Sequence, residues 1–392
     1  MAACEQKNIN HGDKLLQDKA MGTAKDIEII CNLKQIRTGK KITQSQLATL
    51  VGIKRQAIYD LESGRYLPNT SVAIGLARVL NCRIEDIFYE RSQPIFPVVL
   101  VDSPGETDPR VSLAKVRNKL CGYSLSGANA FMEEMRAADG LLEPGNNRVT
   151  LLKSSEQLEN TALLLGCDPA FSILGHYVQK SRADAALHCR FASSKNALTQ
   201  LGEGHAHIAG THMHNTGNYD GNQELANALL KNFKGLLVTF ASFEEGLMVA
   251  RGNPLNIREP ADLAQEKIRF VNREKGAALR SLLDDCLGKL NIPFSAVNGY
   301  NEIVNNHSQG ARRILHGFSD AALGLQAVAS AFNLGFVPIS RVRCDLVIPQ
   351  DLLAHTGVKA ALDILQKKTF QDELNSLPGY DAFYTGTIIT RF

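Results

Sequence analysis

Apolar residues recur at helical spacing between Thr43 and Phe88, and this stretch frames the rest of the chain. Thr43 and Gln46 make a capping box: the Thr hydroxyl serves the Gln46 amide and the Gln side chain reaches back. A short helix therefore begins at Gln44, with Leu47, Leu50 and Val51 on its apolar stripe. Gly52 stands where a tight turn needs positive φ. A second helix runs from about Lys54 to Ser63 and Gly64 stops it. A third, amphipathic helix covers Thr70 to Leu80. Ahead of these, Ile27, Ile30, Leu33 and Ile36 predict a covering helix from Asp26 to Arg37, closed by Gly39. Residues 1–24 are polar and patternless, the pattern of a loose arm.

On the second helix, at about 100° per residue, Ala57, Ile58 and Leu61 fall on the packed arc. Gln56, Tyr59 and Ser63 fall on the opposite arc, flanked by Arg55 and Asp60, where a recognition helix meets base edges in the major groove. The residue types there suit base reading, since Arg pairs with guanine, Gln with adenine, Asp with a cytosine amine, and Tyr with the thymine methyl. Lys54 and Arg65 flank the helix as phosphate contacts, and Gln44 and Asn69 open their helices where phosphates are met. The stretch resembles the phage-repressor-like helix-turn-helix family, also called the xenobiotic-response-element family. The matching residues are Gln44, Leu47, Ala48, Gly52, Ile53, Gln56, Ile58, Leu61, Glu62, Gly64, Arg65, Pro68, Ala77, Leu80 and Phe88. The resemblance implies binding of double-stranded operator DNA, and such domains read two half-sites as a two-fold dimer.

After Phe88 the pattern changes. Pro94, Pro97, Pro104, Gly105 and Pro109 punctuate residues 91–110. PVVLVD, VSLAKV and LCGYSL read as strands, and Ala130 to Arg136 as a short helix. Residues 91–160 thus form a small β-containing connector. From Thr161 strands and helices alternate: TALLLG, ADAALHCRF, AHIAG, GLLVTF, then GLMVA, IRFV, DAALGL, GFVPI and RCDLVIP, with helices between. Such alternation predicts a parallel sheet with helices on both faces. A ligand would then sit at strand C-terminal ends against helix N-termini. Four loops are placed for this: Cys167-Asp168-Pro169, Ser193 to Asn196, Asn272 to Gly276 and Asn305 to His307.

Composition changes this picture little. A chain of 392 residues allows two or three domains, and a net charge of +3 means any DNA footprint is local. Lys34, Arg37, Lys40, Lys41, Lys54, Arg55 and Arg65 supply one. Eight scattered Cys without C-x-x-C indicate neither a zinc knuckle nor a dithiol motif, and suggest a reducing compartment. No signal-peptide pattern and no apolar run long enough to span a bilayer is visible, so a cytoplasmic location without membrane contact is expected.

Residues 161–392 resemble the type II periplasmic-binding-protein fold, and most closely the molybdate-binding-protein-like subgroup found fused to repressor-like helix-turn-helix domains. The segments that carry this are GCDPA (166–170), ALTQLGEGHAHIAGTHM (197–213), EEGLMVARGNP (244–254), DLAQEKIRFVNREKGAALRSLLD (262–284), GYNEI (299–303), NH (306–307), SDAALGLQA (319–327), CDLVIPQ and LPGYD (377–381). The fold class expected is therefore multidomain: an all-α helix-turn-helix domain (25–90), the connector, and an α/β two-lobed domain. The resemblance implies a one-component regulator whose small effector, an oxyanion for example, binds between the lobes. Carried over by position, the pocket holds Asp168, Ser194, Asn272, Arg273, Gly276, Arg280 and His307, with Ser194 and helix amides for oxyanion oxygens and Arg273 for charge. The subgroup shows NR-x-x-GSGTR at the third loop. Here Ala277, Ala278 and Leu279 follow Gly276, so two hydroxyl donors are missing, which points away from molybdate and tungstate.

Two rival arrangements compete. His205, His207, His212 and His214 have the look of a metal-sensing cluster. Alternatively, the second half is a ligand-free scaffold that only dimerises the DNA-binding domain. An enzyme is not expected: G-x-S-x-G, a phosphate loop and the dinucleotide fingerprint are all absent, Asp284-Asp285 lies on a solvated helix face, and Glu244-Glu245 lies near the lobe crossover. No cofactor or resident metal is expected either.

Overall fold

The Thr43 hydroxyl accepts the Gln46 amide and the Gln46 side chain returns to the Thr43 amide, as the spacing predicts. The computed structural model describes residues 29–90, 95–102, 108–126, 136–143, 145, 147–214, 220–230 and 234–392. The expected loose arm and most of the helix expected over 130–136 lie outside them. The chain divides into two units, Met1–Pro94 and Ile95–Phe392.

In the first unit the elements run β1 (Ile29–Cys31), α1 (Leu33–Gly39), α2 (Gln44–Val51), α3 (Arg55–Glu62), α4 (Thr70–Val79), α5 (Ile84–Ile87) and β2 (Phe88–Glu90). The helix expected from Asp26 is shorter. Ile29–Cys31 instead pairs antiparallel with Phe88–Glu90, so the helical unit carries a two-stranded ribbon. β-branched Ile29 and Ile30 opposite Tyr89 and Glu90 favour that pairing over helix. Gly52 takes φ +76° between α2 and α3, and Gly64 φ +69° after α3. Leu33, Leu47, Ile58, Leu61, Leu76, Leu80 and Ile87 form the core.

A buried ion pair crosses this small core. Arg37 Nε meets Glu62 Oε1 at 2.6 Å and a second nitrogen meets Oε2 at 3.1 Å. The third nitrogen donates to the Ile42 carbonyl, and Gln44 Nε2 donates to Glu62 Oε2. Burial works against the Glu62 carboxylate, yet Arg37 and Gln44 hold it below its ordinary range. Arg37 therefore belongs to the core and not to the expected basic footprint.

The second unit holds two sheets. The connector strands are β3 (Ile95–Pro97), β4 (Val99–Leu100), β5 (Arg110–Val116), β6 (Lys119–Ser124), β7 (Gly140–Leu142) and β8 (Arg148–Leu151), in the order β3-β8-β7-β5-β6-β4. A short helix α6 (Ser155–Glu159) leads into the large sheet. That sheet is built from β9 (Thr161–Gly166), β10 (Ala186–Phe191), β11 (Ile208–Thr211), β12 (Gly235–Val249), β13 (Phe270–Arg273), β14 (Ile303–Val304), β15 (Ala321–Leu325) and β16 (Gly335–Pro349), with β17 (Tyr380–Asp381) and β18 (Ile388–Arg391) on β12. Its helices are α7 (Phe171–Ser181), α8 (Ser194–Gly202), α9 (Gly221–Leu229), α10 (Ala278–Lys289), α11 (His307–Leu315), α12 (Gln326–Ala331), α13 (Thr356–Leu365) and α14 (Lys368–Ser376).

The sheet is mixed and not all-parallel as expected. β10-β9-β11 are parallel at one end and β15-β13-β14 at the other. Between them β12 and β16 run antiparallel, 15 residues each, from one lobe into the other. GLLVTF and GLMVA are thus halves of one strand, as are GFVPI and RCDLVIP. Helix α11 begins at His307, after the short β14.

The connector is seated on the first lobe. Ala114, Val116, Cys121 and Tyr123 share one core with Leu163, Leu165, Leu198 and Val347. Tyr123 OH donates to the His205 carbonyl and Arg117 pairs with Asp351. Asp139, almost fully buried, takes the Leu113 amide and pairs with Lys153 beside His188.

Replacing Arg37 with Met leaves the Glu62 charge buried and alone, so the first unit is expected to lose about 3–5 kcal/mol. Urea unfolding of the full chain, followed by a probe in residues 29–90, reads this. A loss under about 1 kcal/mol would mean the pair is solvated as an exposed one is.

Candidate functional site

Two surfaces carry chemistry, one in each unit. On α3, Arg55, Gln56 and Tyr59 are exposed, as are Lys54 before it and Ser63 and Arg65 after it, while Asp60 is half-buried. Four of these residues are tied together. Gln56 Nε2 and Arg65 Nη1 both donate to Asp60 Oδ1 at 3.0 Å, and the Arg65 guanidinium lies 5.3 Å over the Tyr59 ring. The face expected to meet bases is thus held in place before any contact is made. The two helix-opening residues are engaged: Asn69 caps α4 by accepting the Val72 amide, and the Gln44 side chain turns to Glu62.

In the second unit, the loop after β10, the end of β13 with the loop that follows it, and the start of α11 come together. Ser194 opens α8 and its hydroxyl accepts the His212 amide. Phe191, at the end of β10, lies 5.5 Å under the guanidinium of Arg273, at the end of β13, so the lobes touch there. Gly276, with φ +96°, faces Ser193 across the same gap. Arg273 is buried and donates toward the His307 ring at 3.1 Å. Burial first, and then Arg273, hold His307 well below the ordinary imidazole range, so it is a neutral acceptor.

The expected pocket residues play unequal parts. Arg273, His307, Ser194 and Gly276 face the gap. Asn272 spends its side chain on the Tyr300 carbonyl and the Arg273 amide, and Arg280 donates to the Arg273 carbonyl while stacking on Tyr300. Both shape the third loop. Asp168 Oδ1 accepts the Tyr380 hydroxyl and the Ala170 amide, while its Oδ2 has no hydrogen-bond partner among the described residues. Burial pushes Asp168 up to about 6.

Sequence reasoning missed three residues here. Glu274 pairs bidentately with Arg273, at 2.9 and 3.1 Å, and so spends the charge that an anion was expected to use. Glu245 is fully buried on β12, where the β12–β16 register shifts between Glu245 and Gly246. A Cβ on Gly246 would run into the Val337 carbonyl oxygen, so that close approach demands glycine. The shift re-aims Glu245 inward, where it meets His212 at 3.0 Å and His214 at 2.8 Å. Burial opposes the Glu245 charge, but the two histidines bring it down to about 2. Burial likewise favours neutral His212, and the Cys167 sulfur and Glu245 reverse this and hold it well above its ordinary range. The third residue, Tyr380, comes from a strand whose pairing partner lies far off in sequence.

The four histidines of the metal reading do not converge. His205 bonds Gln200, His207 accepts the Leu163 amide and packs on His355, and only His212 and His214 meet, on Glu245. Among the described residues no group of three or more His, Cys, Asp or Glu is arranged to hold a metal ion.

Known proteins share both halves. A helix-turn-helix family model matches residues 33–87, and a PBP superfamily domain model matches 175–366. The uncharacterized protein YvgK of Bacillus subtilis is 31% identical over 229 residues, which cover 58% of this chain and 73% of YvgK. An uncharacterized HTH-type transcriptional regulator of Archaeoglobus fulgidus is 45% identical over 56 residues, 14% of this chain and 79% of that protein. The solved structure of a putative phosphate ABC transporter substrate-binding protein with bound phosphate, from Clostridium perfringens, superposes with a TM-score of 0.43 at 13% identity, covering 55% of this chain and 97% of that one.

The buried pair predicts an acid limb and an alkaline limb in stability. Glu245 contributes fully above its unfolded value, near 4.5, and that contribution falls away as pH drops toward about 2. His212, raised in the folded chain, contributes fully below 6.5 and loses its contribution as pH rises through its folded value. Glu245→Gln is expected to cost about 3–5 kcal/mol at neutral pH and to flatten the acid limb. Thermal melts from pH 2 to 9 check both, and an unchanged acid limb in the variant would remove Glu245 as its cause.

Proposed function

The chain belongs to the helix-turn-helix regulators that carry a PBP superfamily domain, and from that premise we propose that it is a one-component transcriptional regulator. It binds operator DNA through α3 as a homodimer, and a small effector held between the lobes sets its DNA affinity. The proposal places it in the cytoplasm, with no enzymatic turnover. The observation that carries the reading is the interlobe gap. Phe191, Ser193 and Ser194 come from one lobe and Arg273, Gly276 and His307 from the other, and both lobes hang on the same two strands. A ligand that bridges such a gap binds the closed arrangement better than the open one, and that difference drives the shift.

Arg273 sets the terms for the effector. An anion must displace Glu274 from the guanidinium, and the Glu274 side chain is the more solvent-reached partner, 24% exposed against 1% for Arg273. Oxyanions therefore bind weakly to this chain, or the effector presents neutral donors and acceptors. The scaffold reading is the alternative that no ligand at all would favour.

Titration calorimetry of the full chain with phosphate, sulfate and small carboxylates tests this. Glu274→Gln frees the Arg273 charge and is expected to tighten one of these anions about tenfold, near 1.4 kcal/mol. No binding by either protein would turn the reading toward the scaffold. For the DNA face, Gln56→Ala is expected to cost roughly 1–3 kcal/mol and relax preference at one base position, whereas Arg65→Ala weakens all sequences and lowers the salt slope. A uniform loss for Gln56→Ala across sequences would show that α3 meets DNA through another face.

A further inference from the structure

Cys167 sits between β9 and α7, on the first-lobe side of the same gap. Its Sγ lies 3.3 Å from His212 Nδ1 and 3.8 Å from Nε2, against the imidazole ring, and Nε2 makes an ion pair with Glu245 Oε1 at 3.0 Å. A thiol against an imidazole that a buried carboxylate keeps charged is an arrangement by which cysteine nucleophiles are activated. A second thiol, Cys344, bonds the same ring, but full burial pushes it up strongly and keeps it protonated. Cys167 retains some solvent contact, 7% of its surface. Beside it, the buried Asp168 Oδ2 has no hydrogen-bond partner among the described residues. His212 carries the positive charge that a thiolate needs next to it.

We propose that Cys167, with His212 and Glu245, forms a peroxide-reactive thiol site at the floor of the interlobe gap. The thiolate sulfur attacks one oxygen of hydrogen peroxide. The S–O bond forms, the O–O bond breaks, and sulfur gives up two electrons to become a sulfenic acid. The leaving hydroxide takes the His212 proton and departs as water. His212 is then neutral opposite the Glu245 carboxylate, so the oxidation removes the buried ion pair on the strand that joins the lobes. A small thiol reductant returns the site to its starting state. The proposal does not depend on the identity of any effector.

The test uses the full chain and two probes. Iodoacetamide labelling, read by mass spectrometry at each cysteine from pH 6 to 9, compares Cys167 with Cys286, a partly buried thiol that burial pushes up. An ordinary thiol labels about tenfold faster per pH unit below its pKa, whereas an activated one is already reactive at pH 6. Cys167 is expected to label at least about tenfold faster than Cys286 at pH 6.5, with a flat pH profile. Treatment with hydrogen peroxide and dimedone is then expected to place the adduct on Cys167, and Cys167→Ser to abolish it. His212→Gln should slow labelling and restore the pH slope. Because that variant could unfold, the wild-type pH profile stands as the deciding measurement. A Cys167 rate that follows Cys286 with pH, or a dimedone adduct on the other cysteines and none on Cys167, would overturn the proposal.

Discussion

Two antiparallel strands, β12 and β16, carry both lobes of the second unit, and everything in the gap depends on how they cross. Their register slips at Glu245 and Gly246, a place where only glycine fits beneath the Val337 carbonyl. That slip turns a carboxylate into the interior. A lone buried carboxylate costs several kcal/mol, so its burial requires cations. His212, just beyond the end of β11, supplies the positive charge, and His214 lies within hydrogen-bond distance of the other carboxylate oxygen. The sheet break, the buried charge and the histidine pair are thus one device, and removing any part leaves the others uncompensated.

The connector extends this logic outward. It shares apolar core with the first lobe and is pinned there by Tyr123, Arg117 and the Asp139–Lys153 pair. A packed core shared by two sheets does not shear freely. The connector and the first lobe therefore form one packed piece. The ion pair of the first unit has the same character in miniature: Arg37 and Glu62 tie α1 to α3, so the α3 face is presented at a fixed angle to the rest of that unit.

What the sequence made legible was local. The capping box, the turn glycine and the inward arc of α3 are relations between near neighbours, and each stands in the structure as expected. The long strands were not legible, because hydrophobic pattern and backbone pairing part company there. ASFEEG and ISRVR interrupt the apolar run with polar and charged residues, so a single strand reads as two. The helix expected at Asp26 failed for a related reason: the partner of Ile29–Cys31 lies far along the chain, at Phe88–Glu90. In the gap, Arg273 and His307 were expected from the resemblance and from loop position, but Glu274 as a competitor and Glu245 as a buried partner were not. Their roles come from a side-chain pairing between neighbours that residue type alone does not dictate and from a register slip that spacing does not record.

Charge balance then limits what the gap holds. Arg273 has Glu274, His212 has Glu245, and Arg280 has the Arg273 carbonyl with Asp284 nearby. Asp168 Oδ2 is a buried acceptor left without a partner among the described residues, in a carboxyl that burial raises to about 6. A gap whose charges are already matched does not attract a ligand by net charge. A ligand of the proposed site would be selected by hydrogen-bond pattern, by stacking, or by a bond to sulfur. An anion enters only by pushing Glu274 into solvent, which costs that pair its two short bonds. The missing hydroxyls at Ala277 and Leu279 bear on the same point, since a site without them has fewer donors with which to offset that displacement.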